Sequence, residues 1–75
     1  MPLVYVLLNT EPGHMENVLK KIEEIDGVEE AYMLYGIYDI CAKVKTKITS
    51  ELKGIVQKIR SQENVLFTLT LLVVH

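Results

Sequence analysis

The chain has 75 residues, 49% of them hydrophobic, a single cysteine and a formal net charge of −2. A chain this short forms one domain, residues 1–75, and buries only about 60% of its unfolded surface, so we expect oligomerisation to add stability. One cysteine excludes an internal disulfide, and the negative net charge argues against general affinity for nucleic acids.

The first half of the chain predicts a strand, a helix and a second strand. Residues 3–8 are all apolar, as in a strand that is buried on both faces. A helix is predicted from about residue 14 to residue 25, followed by Gly27 as its left-handed end. Residues 28–35 predict the second strand. The apolar residues of the helix are spaced to share one face: Met15, Val18, Leu19, Ile22 and Ile25.

The second half predicts a strand over residues 40–45, a helix to about residue 61 and a last strand over residues 65–74. The odd positions of the last strand are all apolar and are predicted to face the helices. The even positions include Thr68 and Thr70, and they are predicted to face another subunit or a ligand. The apolar stripe of this helix comprises Ile48, Leu52, Ile55, Val56 and Ile59.

A short segment, Gly36-Ile37-Tyr38-Asp39, joins the second and third strands. With Gly36 and Ile37 as the central pair, it fits a two-residue type II′ turn, after which Tyr38 and Asp39 begin the third strand. A carboxylate beside exposed backbone amides at a sheet edge can hold a small zwitterion. The alternative is a turn glycine, a strand tyrosine and a solvated aspartate.

The order of elements predicts an α+β, ferredoxin-like βαββαβ fold, with a four-stranded antiparallel sheet and both helices on one face. The first and last strands are neighbours in this fold, and both are apolar on their two faces. We therefore expect dimers that pack sheet against sheet, as in dimeric α+β barrels. A charge at Val6, as in Val6→Asp, is expected to impair this assembly and also folding, because an unpaired buried charge is costly.

Several kinds of site are absent from the sequence. Two scattered histidines and one cysteine make no metal cluster and no nucleophile–base pair, and there is no phosphate-binding loop. We therefore expect no catalytic residue, metal or cofactor. No signal peptide is visible, and the apolar stretch of residues 65–74 is too short to span a bilayer, so a cytoplasmic protein without a membrane partner is expected.

These motifs, in this order, are similar to the effector domain, or RAM domain, of the Lrp/AsnC regulators. The matching residues are Pro12, Gly13, Val28, Gly36, Ile37, Tyr38, Asp39, Val65, Thr68, Leu69 and Thr70. The resemblance implies homodimers formed through the sheets, rings of dimers such as octamers, and amino acids or similar small effectors bound between dimers. It also implies a ligand site formed by Gly36, Ile37, Tyr38, Asp39, Thr68 and Thr70.

Typical members of that family carry an N-terminal DNA-binding helix-turn-helix, whereas this chain begins at the first strand. It resembles a stand-alone effector module, for which we expect no direct DNA binding and possible mixed assembly with full-length Lrp/AsnC relatives. Two further functions stay open: a small cofactor-free enzyme of the dimeric α+β barrel class, and a purely structural assembly domain. The ACT domain has the same element order, but the Gly-x-Tyr-Asp turn favours the RAM domain.

Overall fold

The computed structural model describes residues 2–74, and it confirms the predicted order of strands and helices. The elements are β1 (Leu3–Thr10), α1 (Met15–Glu23), β2 (Val28–Met33), β3 (Ile40–Lys45), α2 (Thr49–Arg60) and β4 (Val65–Leu72). The strands form one antiparallel sheet in the order β2-β3-β1-β4, so the ferredoxin-like fold is confirmed. No helix within residues 2–74 has the length and apolarity needed to cross a membrane.

The core lies between the two helices and one face of the sheet. Along β1 and β3, every second residue is buried, and these residues meet the apolar stripes of α1 and α2. Burying one aliphatic side chain of this size stabilises the fold by about 1.5–3 kcal/mol. The buried apolar residues are Val4, Val6, Leu8, Val18, Ile22, Ile40, Ala42, Val44, Leu52 and Ile59.

The predicted orientation of β4 is wrong. Thr68 pairs with Leu8 and Thr70 pairs with Val6, so both threonines lie on the helix side of the sheet. Paired residues in an antiparallel ladder share a face, and a one-residue slip would invert that face. Because β4 is apolar at odd and even positions alike, its own pattern does not fix the orientation. The pairing with β1 fixes it.

Phe67, Leu69 and Leu71 of β4 consequently lie on the sheet face that the helices leave uncovered, here called the open face. Val65 is the exception, because the register shift at Asn9 and Thr10 pairs it with Thr10 and it packs against the core. The open face also carries the odd residues of β1 and β3. Val6 is on the opposite side and is fully buried in the core. The expectation that Val6 lies where subunits meet is therefore wrong, since Val6→Asp places its charge beneath the helices.

Gly27 lets α2 approach the turn between α1 and β2. Its φ is +99°, in the left-handed region that favours glycine. A Cβ atom at this position would collide with Cδ1 of Ile55, which packs against the core. A side chain at residue 27 would therefore force Ile55 out of its place.

Three glycine variants, compared by chemical denaturation, separate the cost of backbone strain at Gly27 from the cost of displacing Ile55. Gly27→Ala should lower the free energy of unfolding by about 1–3 kcal/mol, from left-handed strain plus displacement of Ile55. Gly13→Ala, at φ +85° with open space around it, should show the backbone strain alone. Gly54→Ala, inside α2 and also in open space, should raise stability by about 1 kcal/mol. If Gly27→Ala lowers the free energy of unfolding no more than Gly13→Ala does, the contact with Ile55 does not contribute to the loss of stability.

Candidate functional site

The loop between β2 and β3 covers residues 34–39 and is longer than predicted. The Leu34 N–H donates to the carbonyl oxygen of Asp39 at 2.7 Å, and this bond closes the loop around a tip of four residues. The predicted two-residue turn, with Tyr38 and Asp39 already in the strand, is wrong, because β3 begins at Ile40. Gly36 has a φ of +154°, which side chains rarely adopt.

Asp39 ties this loop to the end of β1. Its N–H donates to the carbonyl oxygen of Leu8 at 2.9 Å. Its carboxylate oxygen Oδ2 accepts the N–H of Thr10 at 2.9 Å and lies 3.5 Å from the Thr10 hydroxyl. Thr10 is buried, so its N–H needs an acceptor from the protein. The carboxylate at residue 39 is therefore part of the framework of the fold.

The tip of the loop projects into solvent. Tyr35 is fully exposed and Ile37 is 87% exposed, while Tyr38 and Asp39 are half-buried. Apolar side chains this exposed at the end of a hairpin add nothing to the core of their own subunit. They are free to contact another molecule.

Thr68 and Thr70 lie apart from this loop. Asp39 and Thr68 flank Leu8 from opposite sides, one bonded to its carbonyl oxygen and the other paired with it in β4. Two strand spacings separate their backbones, which amounts to roughly 10 Å. The predicted site residues thus form two groups within one subunit.

Three surface clefts lie elsewhere on the molecule. One of about 480 Å³, between the start of α2 and the end of β3, has mixed charges from Asp26, Glu51, Lys45, Lys47 and Lys58. A second follows α1 and the turn into β4, and a third lies beside Gly13 and Met33. None of these three contains residues 36–39, Thr68 or Thr70. Within residues 2–74, no group of three or more metal-ligating side chains comes together.

The open face carries a large exposed apolar surface, which sequence analysis placed on the wrong residues of β4. Phe67 is 70% exposed, and Leu69 and Leu71 are 40% and 46% exposed. They lie beside Asn9, Leu7 and Tyr5 of β1. A contiguous apolar surface of this kind marks a site of protein–protein contact. The pairing register with β1 was the information needed to find it.

The β2–β3 side of the open face is polar. The Lys43 ammonium lies 3.3 Å from the Glu29 carboxylate, and this contact raises the pKa of Lys43. A hydrogen bond with Glu30 raises the pKa of Tyr32, which also lies on this side. Burial raises the pKa of the Cys41 thiol, which is the opposite of what a reactive cysteine requires. These groups make a polar border and show no sign of an activated nucleophile.

Comparison with known proteins gives a family and a set of similar structures. The family model for the Lrp/AsnC ligand binding domain matches residues 3–75. The protein TTHA0845 from Thermus thermophilus superposes with a TM-score of 0.93 at 33% identity, over 100% of this chain and 95% of that one. AsnC from E. coli superposes with a TM-score of 0.87 at 26% identity, over 99% of this chain and 51% of that one.

A part of an enzyme is also similar. Homocitrate synthase from Saccharolobus islandicus (strain L.S.2.15 / Lassen #1) is 40% identical over 57 residues. The match covers 76% of this chain but only 12% of the enzyme. The similarity therefore concerns a small segment of that protein.

Proposed function

Since the chain belongs to the Lrp/AsnC ligand-binding domain family, we propose that it is a regulatory module that binds an amino acid or a similar small effector and assembles with copies of itself. The observation that carries this proposal is the family match over residues 3–75, supported by a fold that superposes on AsnC over 99% of this chain. The proposal assigns a sensing function and no catalytic step.

The proposed effector site is the loop of Gly36, Ile37, Tyr38 and Asp39 together with Thr68 and Thr70. The exposed loop tip and the distance between the two groups support a site completed by more than one subunit. In such a site, backbone groups of the loop come from one subunit, and threonine hydroxyls come from a neighbour. Hydroxyl and amide donors suit a carboxylate, and Asp39 either pairs with an ammonium group or fixes the loop.

The proposed assembly begins with a dimer in which two open faces pack together. The apolar side chains of β1 and β4 then become buried, and the polar border on β2 and β3 stays at the rim, where charged groups retain water. Rings of such dimers bring the loop tips of different dimers together. This arrangement places the effector between dimers and makes its binding dependent on the assembly.

A second candidate is a regulatory domain that acts on a biosynthetic enzyme. The 40% identity to a 57-residue segment of homocitrate synthase favours it. The two candidates share effector binding and assembly and differ in the protein that is regulated. Full-length Lrp/AsnC relatives are the partners in the first candidate, and a metabolic enzyme is the partner in the second.

The direct test of the proposed function is native mass spectrometry of the purified chain with each of the twenty proteinogenic amino acids. We expect a dimer or a larger even assembly, and a mass increase equal to a whole number of bound amino acids for at least one of them. A protein that remains a monomer at micromolar concentration and binds none of the twenty would refute the proposal.

The open face predicts how a charge affects assembly. Leu69→Asp should raise the dissociation constant of the dimer at least tenfold, because an unpaired carboxylate would be buried between the sheets. The control is Ile48→Asp, which places the same charge at an exposed apolar residue immediately before α2. Sedimentation velocity over a concentration series measures the dissociation constant of the dimer for both variants. Equal sedimentation of Leu69→Asp and wild type would show that the open face is not the interface.

The loop predicts a loss of effector binding in Gly36→Val. A branched side chain disfavours a φ of +154° and covers the neighbouring amides, so affinity for the amino acid found by mass spectrometry should fall at least tenfold. Gly13→Val is the control for backbone strain, since Gly13 also has positive φ and open surroundings. Isothermal titration calorimetry measures affinity, and the melting temperature shows that each variant is folded. Unchanged affinity in Gly36→Val would place the site elsewhere.

A further inference from the structure

We propose that Asp39 is a positioning residue, held by Thr10, and that the ligand contacts of this loop are the free backbone N–H groups of residues 35–38, which receive the carboxylate of the effector. This inference rests on the proposed function, in which the loop binds a small effector. Asp39 then fixes the loop and does not pair with an ammonium group, and Thr10, which the sequence did not single out, holds Asp39 in place.

The hydrogen bonds of Asp39 all serve to hold the loop. Its N–H donates to Leu8, its carbonyl oxygen accepts from Leu34, and its carboxylate accepts the N–H of Thr10 at 2.9 Å. One residue thus joins the beginning and end of the loop to each other and to the central strand. An aspartate used in this way sets where the tip stands, and its charge is already shared with donors of the protein.

Thr10 explains why residue 39 carries a side-chain oxygen that can accept a hydrogen bond. The β1–β3 ladder runs as far as the pair Leu8 and Ile40, and the backbone of the loop then leaves the sheet. The next donor on this side of β1 is the N–H of Thr10, whose residue is only 6% exposed. A buried donor without an acceptor is costly, and Oδ2 of Asp39 replaces the missing carbonyl oxygen of the strand.

The loop tip that Asp39 holds has backbone N–H groups that are not used within the subunit. Within the part of the chain that the structure describes, the N–H groups of residues 35–38 make no hydrogen bond to another residue. Space within 4 Å of the Gly36 Cβ position is open, so a small molecule can approach the backbone there. Consecutive backbone N–H groups in a turn attract anions, and the anionic group of an amino acid is its carboxylate.

The first arm of the test needs no ligand. Amide hydrogen exchange, followed residue by residue by NMR, reports the N–H of Thr10 and of Leu34. Asp39→Ala removes the acceptor and should speed exchange at Thr10 at least tenfold. Asp39→Asn keeps a carbonyl oxygen in the same place and should change that rate by less than about threefold. Exchange at Thr10 that is unchanged in Asp39→Ala would overturn the positioning role.

The second arm uses calorimetry with the proteinogenic amino acid that binds wild type most tightly. Asp39→Asn should bind it within about threefold of wild type, and Asp39→Ala should bind it at least tenfold more weakly. A loss in Asp39→Asn as large as in Asp39→Ala would show that the charge itself meets the ligand, and would overturn the inference.

The amine that lacks the carboxylate of that amino acid should bind wild type at least tenfold more weakly, and equal binding would overturn the assignment of the N–H groups. If no amino acid binds wild type, the proposed function fails, whereas the exchange measurements still decide the role of Asp39. The two failures are therefore distinguishable.

Discussion

The central strand β1 needs packing partners for the side chains on both of its faces and hydrogen-bond partners for the backbone on both of its edges. Most of the structure follows from that requirement. Its even residues are buried against the helices, and its backbone pairs with β3 on one side and β4 on the other. Once these residues are committed to the core, the faces of β3 and β4 are fixed through their pairing with β1. The apolar odd residues then have no cover within the subunit, and this is the surface that the proposed assembly buries.

Much of the fold was predictable from the sequence because the helices have clear periodicity. The stripe that begins at Met15 faces the core, and so does the stripe that ends at Ile59 except for Ile48, which precedes α2 and is exposed. The third strand has the predicted bounds. The face of β4 was not predictable, because leucines and valines at both parities give no alternation to interpret. Only the partner strand, with a register shift at Asn9 and Thr10, decides which side each residue takes.

The position of the β2–β3 loop along the chain was predictable, but its geometry was not. Glycine marks the turn at Gly36, yet Leu34 and Tyr35 are apolar and continue the pattern of a strand although both are exposed in the loop. The hydrogen bond from the Thr10 N–H to Asp39 joins residues that are 29 positions apart, and no local sequence pattern predicts it. The loop length and the hydrogen-bonding role of the aspartate therefore required the tertiary structure.

The two edges of the sheet differ in a way that bears on aggregation. The β2 edge is short, is irregular between Val28 and Glu30, and carries two glutamates, all of which oppose the addition of further strands. The β4 edge has eight residues, and most of them are exposed aliphatic or aromatic side chains. An edge of that length is a template for amyloid-like strand addition. An isolated subunit is thus exposed to misassembly, and conditions that dissociate the proposed assembly are expected to shorten the lifetime of the protein in solution.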